Sequence, residues 1–359
     1  MSDIRITNCP VHLFTVDHAP KGFAPFGLGD ILRKPATWWG IRRGLHLASS
    51  IGGWEAGERF ARFASYAKAN SQRENFEVLR KYYTPGTRFV VLPMDMAYMG
   101  LGEPRISLEE QHNELKELAD EFEGLILPFA AVDPRRPGVM DELERCREMG
   151  FVGVKLYPPL GYMPGNEILH EDVYPYCVEH NLPVMSHCSR GGVRKWGMFD
   201  SDQAALASPE AFKNVLKDHP KLKVCLAHFG GDTDWKNYLG PPRRDHTDPN
   251  KPFRKDNFLA LILDMLRSGD YPNLWTDISY TLFQFTQNVP ALDVFMNDEK
   301  VASRVLFGSD YYMTEQEEDS ERRVSFEIRH GLGEDKFRRI AETNPEAYLF
   351  GDPVSPPGD

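Results

Sequence analysis

Short apolar segments recur along the chain, and stretches with helical periodicity separate most of them. The segments are almost continuously apolar, which is typical of strands that are covered on both faces. Eight segments are predicted strands: Ile4–Phe14, Arg88–Pro93, Leu125–Val132, Val152–Tyr157, Leu182–His187, Leu222–His228, Leu274–Ser279 and Val305–Ser309. Alternation of strands and helices predicts a parallel sheet, and eight strands predict a closed (β/α)8 TIM barrel of the α/β class.

Helix boundaries between these strands carry recognisable end signals. Ser107 and Glu110 have the spacing of a capping box that opens a helix reaching to about Phe122. A second helical pattern starts at about Met140 and ends before Gly150, a favourable residue just beyond a helix. A doubly wound sheet is the alternative topology, but no GxGxxG motif follows the first strand. The pattern therefore favours the barrel.

Two long insertions exceed what a minimal barrel needs. Residues Asp17–Tyr83 follow strand 1, and residues Gly230–Asp256 follow strand 6. Both start at the carboxyl ends of strands, where the active sites of barrels lie, so we interpret them as lid and substrate-pocket material. Irregular packing decoration is the alternative. The first insertion also contains several large aromatic residues, among them Trp38, Trp39 and Trp54.

Composition and charge narrow the class of partner. The chain has 359 residues, with 42 Lys and Arg against 53 Asp and Glu, and a formal net charge of −11. An acidic chain binds polyphosphates poorly, so we expect no nucleic acid among its partners. No apolar run is long enough to predict a membrane span, and Met1–Arg5 lacks the design of a signal peptide. We therefore expect a cytoplasmic protein that acts on a small molecule.

The same considerations predict the domain organisation. We expect one barrel domain over residues 1–352 and a loose tail over residues 353–359. The five cysteines are odd in number and form no CxxC pair, which favours reduced, buried thiols over a disulfide framework. A homodimer is the oligomeric state that base rates favour.

Polar side chains with chemical potential lie at or near the ends of five predicted strands. They are His12, Lys155, His187, His228 and Asp310. Strand ends converge at one rim of a barrel, so residues far apart in sequence meet there. Imidazoles and carboxylates are ligands of zinc and similar divalent metals, which activate water and polarise carbonyl groups. Taken singly, each residue also has a structural interpretation, such as a helix N-cap for Asp310 or an ion pair for Lys155.

Several segments in this order resemble the amidohydrolase superfamily, in particular the amidohydrolase-related group that contains aminocarboxymuconate-semialdehyde decarboxylase. The segments are NCPVHLF (8–14), GVKLYP (153–158), SHCSRGG (186–192), LAHFGG (226–231), VLFGSDYY (305–312) and AETNPEAYLFG (341–351). They span nearly the whole chain. The resemblance implies a metal-dependent TIM-barrel enzyme.

The resemblance also implies roles for individual residues. His12 matches the second histidine of the strand-1 metal motif, and His187 matches the strand-5 ligand. His228 matches a residue that binds a second metal or acts as acid or base beside a single one. Asp310 matches an aspartate that binds metal or handles the proton of the attacking water. Lys155 matches a lysine that is carboxylated in two-metal relatives and contacts substrate in single-metal ones.

One position departs from the motif. The first strand-1 histidine is replaced by Pro10, whose side chain cannot bind a metal. Three interpretations follow: a metal bound more weakly by His12, His187 and Asp310, a substitute ligand such as His18 or Asp17, or a site that works without metal. Loss of one ligand is expected to weaken binding, because even changes outside the ligand set cost about 10–100-fold.

Further residues near strand ends are candidates for substrate binding. The guanidinium of Arg190, just past strand 5, can clamp a carboxylate with two hydrogen bonds, or alternatively form a structural ion pair. Asp95 follows strand 2 and can orient Lys155, bind substrate or cap a loop. The aromatic side chains of Tyr157, Trp196 and Tyr311 can line a pocket or belong to the core.

Together these observations predict a metal-dependent hydrolase that acts on a small-molecule amide, lactone or ester. The expected cofactor is one divalent metal, with zinc first and manganese or iron as alternatives, and Pro10 leaves absence of metal open. Metal ligands are expected among His12, His187, His228 and Asp310, and Asp310 or His228 is the expected base. Decarboxylation of an unsaturated or aromatic acid is a second hypothesis. A barrel that has lost catalysis and serves as a binding protein is a third.

Overall fold

The computed structural model describes residues 4–23, 71–239, 256–281, 285–311, 313–316 and 321–355. Eight parallel strands follow one another around a single sheet in chain order. They are β1 (Thr7–Val11), β2 (Arg88–Val91), β3 (Ile126–Val132), β4 (Gly153–Leu156), β5 (Val184–Ser186), β6 (Val224–Leu226), β7 (Leu274–Asp277) and β8 (Val305–Leu306). Each strand lies within a segment predicted to be one, so the predicted eight-stranded α/β barrel is confirmed.

The last strand returns to the first, which nearly closes the barrel. The backbone N–H of Cys9 donates to the carbonyl of Phe307 at 2.8 Å. Further along, the N–H of Asp310 donates to the carbonyl of Pro10 at 3.0 Å. Gly308 lies in this seam, where a Cβ atom would collide with the backbone of Cys9. A glycine is therefore what allows the two chain segments to approach.

Helices surround the sheet on its outer side. The described residues form α1 (Gln72–Leu79), α2 (Leu108–Glu121), α3 (Val139–Glu148), α4 (Tyr174–Glu179), α5 (Asp200–Ala207), α6 (Lys213–Asp218), α7 (Asp232–Leu239), α8 (Phe258–Ser268), α9 (Phe285–Phe295), α10 (Glu299–Ala302), α11 (Glu321–Leu332), α12 (Glu334–Arg338) and α13 (Asn344–Phe350). The predicted capping box is present in α2, because Ser107 Oγ accepts from the Glu110 N–H at 3.1 Å and Glu110 Oε2 accepts from the Ser107 N–H at 2.8 Å.

Both faces of the strands are apolar because each face packs against a different layer. Side chains that point inward fill the barrel, among them Cys9, Val90, Phe129, Met185, Cys225, Trp275 and Leu306. Those that point outward, such as Val91, Val154 and Val184, pack in the layer shared with the helices. All five cysteines are buried free thiols. The near-continuous hydrophobicity of the strand segments thus has a direct structural cause.

Parts of both insertions lie outside the described residues. These parts are 24–70, which include Trp38, Trp39 and Trp54, and 240–255. The interpretation of the insertions as lid and pocket therefore stays a prediction. Near the C-terminus, Val354 exchanges two hydrogen bonds of 2.8 Å with Asn273, and residues 356–359 lie outside the described part. No helix among the described residues is both long and apolar enough to cross a membrane.

Candidate active site

The five polar residues predicted at strand ends meet at the carboxyl-terminal rim of the barrel. They are His12, Lys155, His187, His228 and Asp310, and none exposes more than 6% of its surface. Lys155 lies on β4, His12 and His187 directly follow β1 and β5, and His228 and Asp310 follow β6 and β8 within a few residues. The barrel topology alone thus brings together side chains that are up to about 300 positions apart.

Four of these side chains form two contacting pairs. His187 Nδ1 lies 3.1 Å from His228 Nε2. His12 Nε2 lies 3.3 Å from Asp310 Oδ1. The four potential ligand atoms do not form one compact set, since the group of three ligand atoms within 4.8 Å of one another found among the described residues lies elsewhere. The four potential ligands at the rim therefore form two separate pairs rather than a single compact cluster.

The hydrogen bonds around the first pair indicate where its protons lie. His228 Nδ1 contacts the carbonyl oxygen of Ser279 at 3.1 Å, so this nitrogen carries the proton and Nε2 of the neutral ring carries a lone pair. His187 Nε2 contacts the carbonyl oxygen of Gly191 at 2.9 Å, which assigns the His187 proton to Nε2. The two nitrogens that face each other at 3.1 Å are then both acceptors.

The second pair has the same property. His12 Nδ1 lies 2.9 Å from the carbonyl oxygen of Leu92, which assigns a proton to Nδ1, so that Nε2 carries the lone pair in the neutral ring. That lone pair faces Asp310 Oδ1, a buried oxygen that has no hydrogen bond within the described part of the chain. Buried polar atoms in native structures almost always have partners, and an exception calls for an explanation such as an ion that binds there.

The electrostatics of the rim favour an ionised carboxylate at Asp310 and a neutral imidazole at His187. Burial by itself would raise the pKa of Asp310, but a hydrogen bond from the protonated form of His12, with the positive charges of protonated His12, protonated His228 and Lys155, outweighs it and lowers the pKa to about 2. Burial, together with His228 and Lys155, lowers the pKa of His187 well below its ordinary value. At neutral pH the rim thus presents an anionic oxygen at Asp310 and an unprotonated nitrogen at His187, which is the state in which such groups bind metal.

The backbone at the rim adopts conformations that ordinary residues avoid. His228, Phe229, Tyr280 and Asp310 have φ values of 69°, 42°, 50° and 60°, in the left-handed region. For His228 this conformation is held in place, because Thr281 Oγ1 donates to its carbonyl at 2.5 Å and Asp277 Oδ1 accepts from its N–H at 3.3 Å. Such strain tends to concentrate at functional sites.

Lys155 and Tyr157 line one cavity beside the histidines. Of the described residues, no carboxylate forms an ion pair with Lys155, whose ammonium nitrogen lies 5.5 Å from the centre of the Tyr157 ring. Burial lowers the pKa of Lys155, while Asp310 and Asp277 act in the opposite direction. Tyr157 stacks on His187 with ring centres 4.4 Å apart. At Gly192, whose φ is 90°, a Cβ atom would collide with the Tyr157 hydroxyl, so glycine is required there.

Arg190 and Asp95 already have protein partners. Arg190 Nε donates to Asp234 Oδ2 at 3.0 Å, and its guanidinium stacks 4.3 Å above the ring of Phe258. Asp95 accepts two hydrogen bonds of 2.8 Å from Arg136, although it also lines the cavity beside Lys155. Both residues lie near the rim, and each is tied to the protein by an ion pair.

The remaining candidates lie in different surroundings. Trp196 is 72% exposed, whereas Tyr311 is fully buried next to Asp310. The proposed substitute ligands are engaged elsewhere. His18 Nδ1 accepts from the Thr15 N–H at 2.8 Å and its Nε2 lies 3.2 Å from Glu114 Oε2, and Asp17 pairs with Arg105 at 3.4 Å. The structure thus offers neither residue as a replacement for the histidine missing at position 10.

Two residues at the end of β7 were not singled out by the sequence analysis. Asp277 and Ser279 are fully buried and contact His228 from behind. The available signal was position alone, because both lie at the end of the seventh predicted strand, as His187 lies at the end of the fifth. Buried polar residues at the strand ends of a barrel are therefore candidate site residues in the same way as histidines at those positions.

A second cluster of potential metal ligands lies away from the rim, between α2 and α3. His112 Nδ1 lies 2.6 Å from Glu142 Oε1, and Cys146 Sγ lies 3.2 Å from His112 Nδ1. However, His112 Nε2 accepts from the backbone N–H of Ala131 at 3.1 Å, so the His112 proton lies on Nδ1 and is donated to Glu142. Arg145 adds two hydrogen bonds of 2.7 and 2.8 Å to the same carboxylate. This cluster is satisfied by its own hydrogen bonds.

The eight parallel strands form a (β/α)8 barrel, and imidazole and carboxylate groups lie together at the carboxyl ends of these strands. A family model described as amidohydrolase matches residues 80–350. The chain therefore belongs to the amidohydrolase family. The matched range includes Lys155, His187, His228 and Asp310, whereas β1 with Pro10 and His12 precedes it. Curated proteins yield no sequence match.

Solved structures share the fold at low sequence identity. An uncharacterised TIM-barrel protein from Bordetella bronchiseptica is 17% identical, with 96% of this chain and 98% of that chain covered and a TM-score of 0.54. A probable 2-pyrone-4,6-dicarboxylic acid hydrolase from Acinetobacter baumannii is 14% identical, with 97% and 100% covered and a TM-score of 0.55. The manganese-bound 5-carboxyvanillate decarboxylase from Novosphingobium aromaticivorans is 16% identical, with 96% of each chain covered and a TM-score of 0.55.

Proposed function

We propose that this chain is a divalent-metal-dependent enzyme that hydrolyses an amide, lactone or ester bond in a small carboxylated molecule. The observation that carries the proposal is the pair of acceptor–acceptor contacts at the rim. In the neutral rings His187 Nδ1 faces His228 Nε2 at 3.1 Å, and His12 Nε2 faces Asp310 Oδ1 at 3.3 Å, an oxygen that accepts no hydrogen bond from the described residues. Facing lone pairs repel each other, and a shared cation turns both contacts into favourable ones.

The residues present fit a divalent metal. Three imidazoles and one carboxylate are ligands of the kind that zinc and manganese accept. Two nitrogens bound at about 2.0–2.1 Å to one ion lie roughly 3 Å apart in neighbouring positions, close to the distance between His187 and His228. We assign His12, His187 and Asp310 as the residues that hold the metal, and His228, whose Nε2 faces His187 Nδ1 at 3.1 Å, either joins them as a ligand or acts as the base beside a single metal. When bound, the metal polarises a substrate carbonyl and lowers the pKa of water.

Pro10 does not prevent this arrangement. Its side chain contributes no ligand, but its carbonyl accepts the N–H of Asp310 and so fixes the backbone that carries the carboxylate. The left-handed conformation of Asp310 depends on such a tether, because a non-glycine residue adopts it at an energetic cost. Position 10 therefore supports the site through its backbone rather than its side chain.

Lys155 and His228 supply the remaining chemistry of hydrolysis. Lys155 lines the cavity and forms no ion pair with a carboxylate among the described residues, so its amine can bind an anionic group or an oxyanion of the substrate. Where His228 stays outside the ligand set, its Nε2, which faces the rim beside His187, is the nitrogen that accepts a proton from water. Asp310 is assigned as a ligand rather than as the base, because its Oδ1 faces His12 Nε2 at 3.3 Å.

Decarboxylation is the second candidate, and Lys155 is the observation behind it. An amine without a carboxylate partner can orient the substrate carboxylate that leaves as carbon dioxide. A proton delivered by His228 to the same carbon would complete the reaction. One fold neighbour is described as a hydrolase of a pyrone dicarboxylic acid and another as a decarboxylase of a carboxylated phenol. Both named compounds carry carboxylates, which supports an acid as the substrate class.

Elemental analysis tests whether the protein binds a divalent metal at the rim. Protein purified without chelators is expected to carry about one equivalent of zinc, manganese or iron, and His187→Ala is expected to lose it. A wild-type protein that stays metal-free even after supplementation with these ions would overturn the proposal.

Product analysis tests the reaction. The metal-loaded protein is incubated with a panel of cyclic lactone acids, including 2-pyrone-4,6-dicarboxylic acid, and of phenolic acids, including 5-carboxyvanillate. Products that gain the mass of one water molecule support hydrolysis. Release of carbon dioxide instead would overturn hydrolysis and support decarboxylation. Lys155→Met is expected to raise KM for acids much more than for matched amides or methyl esters, because it removes the group that binds the carboxylate.

A further inference from the structure

A buried polar pair stands directly behind His228, on the side away from the rim. Asp277 ends β7 and Ser279 follows it by two residues, and neither exposes any surface. Asp277 Oδ1 accepts from the backbone N–H of Ser279 at 2.9 Å and from the backbone N–H of His228 at 3.3 Å. The same oxygen also accepts the hydroxyl of Ser279. The carboxylate thus uses one oxygen to hold three donors.

The direction of these hydrogen bonds determines what Ser279 can offer to the histidine. A serine hydroxyl has one hydrogen, and here that hydrogen is committed to Asp277 Oδ1. Ser279 Oγ can therefore only accept from His228 Nδ1, which lies 2.9 Å away. The carbonyl oxygen of Ser279, at 3.1 Å from the same nitrogen, imposes the same polarity.

We propose that Asp277 and Ser279 are positioning residues that hold the neutral ring of His228 in the tautomer with its proton on Nδ1. The lone pair of Nε2 is thereby aimed at His187 and the rim. The inference rests on the proposed function, in which His228 acts through Nε2 as a ligand or as a base. Within the described part of the chain, neither positioning residue forms a hydrogen bond with His12, His187 or Asp310, and both act through His228.

Removal of the Asp277 carboxylate is expected to shift the ring proton of His228 from Nδ1 to Nε2. In Asp277→Ala the hydroxyl of Ser279 loses its acceptor and is free to donate to His228 Nδ1, which moves the ring proton to Nε2. In the double variant Asp277→Ala/Ser279→Ala that donor is gone, and the carbonyl of Ser279 alone returns the proton to Nδ1. Asp277→Asn keeps the oxygen that accepts three donors and is the conservative control.

Nitrogen-15 NMR of histidine-labelled, metal-free protein reads the tautomer without any activity or metal. The His228 resonances are assigned by their absence in His228→Asn, and spectra are recorded at a pH where imidazole is neutral. Wild type and Asp277→Asn are expected to show a protonated Nδ1, and Asp277→Ala is expected to show a major share of protonated Nε2. Ser186→Ala is the matched control, because the Ser186 hydroxyl is buried without a hydrogen bond.

The tautomer of His228 in the wild-type protein tests the inference even if Asp277→Ala fails to fold. A wild-type ring protonated on Nε2 would overturn the inference, as would an Asp277→Ala spectrum identical to that of wild type. Manganese affinity gives a separate readout, with about a 10–100-fold weakening expected in Asp277→Ala and none in Ser186→Ala. If wild type has the expected tautomer but binds no metal, the proposed function fails while the positioning role stands.

Discussion

The molecule contains two buried clusters built from nearly the same residue types. At the rim, His12, His187, His228 and Asp310 form two pairs in which acceptors face acceptors. Between α2 and α3, His112, Glu142 and Cys146 lie closer together, and every contact of His112 joins a donor to an acceptor. Proximity of ligand atoms would select the second cluster as the metal site, whereas the positions of the protons select the first.

We propose the rim rather than the second cluster as the metal site because of what the hydrogen bonds of each cluster leave unsatisfied. The proton of His112 is committed to Glu142, and its other nitrogen accepts a backbone N–H, so no lone pair is available for a metal. At the rim the second nitrogen of each histidine is anchored to a carbonyl oxygen, at Leu92, Gly191 and Ser279, and this leaves the lone pairs pointing at one another. Anchoring of this kind fixes both the tautomer and the orientation of a ligand.

The largest expected effect is on metal content. Asp310→Asn is expected to reduce bound metal by at least about 10–100-fold, because the amide replaces an anionic ligand oxygen. Cys146→Ser in the second cluster is the matched change of a potential ligand and is expected to leave metal content unchanged. Both are measured by elemental analysis after equilibrium dialysis against a defined zinc or manganese concentration. Metal loss in Cys146→Ser and retention in Asp310→Asn would reverse the comparison.

The second cluster is expected to matter for stability instead. His112→Ala removes the imidazole ring. The N–H of Ala131 and the carboxylate of Glu142 then each lack one hydrogen bond. We expect a loss of about 1–3 kcal/mol in the free energy of unfolding, measured by urea denaturation. His170→Ala, at a half-exposed histidine that lies 3.8 Å from Asp218, serves as the control and is expected to stay within about 0.5 kcal/mol. Equal losses in the two variants would contradict the assignment.

The pH dependence of stability gives a third comparison. Burial by itself would raise the pKa of Glu142, but the hydrogen bonds from His112 and Arg145 outweigh it and lower the pKa from 4.5 to about 2. The folded state therefore binds this proton less tightly than the unfolded state, so the carboxylate stabilises the fold above pH 4.5 and loses this contribution as the pH falls towards 2. Stability of Glu142→Gln is expected to fall less steeply across that window than that of wild type, and parallel curves would exclude the contribution.

The smallest expected effect concerns Arg190. Its ion pair with the buried Asp234 is fixed by protein partners, whereas its second partner, Asp256, is largely exposed. Asp256→Asn is expected to change the free energy of unfolding by less than about 1 kcal/mol, because exposed ion pairs contribute little. If Arg190 instead binds a substrate carboxylate, Arg190→Gln will raise KM for acids as strongly as Lys155→Met does. A KM effect confined to Lys155→Met would assign carboxylate binding to Lys155.

Much of the fold was readable from the chain because its determinants are local. Apolar runs covered on both faces mark strands, and end signals such as Ser107 with Glu110 mark helices, so neither requires knowledge of distant contacts. The position of a polar residue at a strand end also follows from sequence, and the barrel topology then places it at the rim. This reasoning was sufficient to locate His12, Lys155, His187, His228 and Asp310.

The partners of these residues could not be derived in the same way. Arg190 had two open interpretations, and its pairing with Asp234 depends on how the segment after β6 folds back. Asp95 was considered as a partner of Lys155, but it pairs with Arg136, which follows β3. Each such contact depends on side-chain direction and on packing between elements, which hydrophobic periodicity does not encode.

By itself the sequence determined the eight-stranded barrel, the strand ends that carry its polar residues, and the loss of one motif histidine at Pro10. Only the tertiary structure decided which nitrogen of each histidine is protonated, because that depends on carbonyl groups of other strands and loops, 4 to 80 residues away in the chain. The same is true of Asp277 and Ser279, whose role exists only through their contact with His228. Residue identity follows from the chain, but the direction of a hydrogen bond requires the positions of both partners.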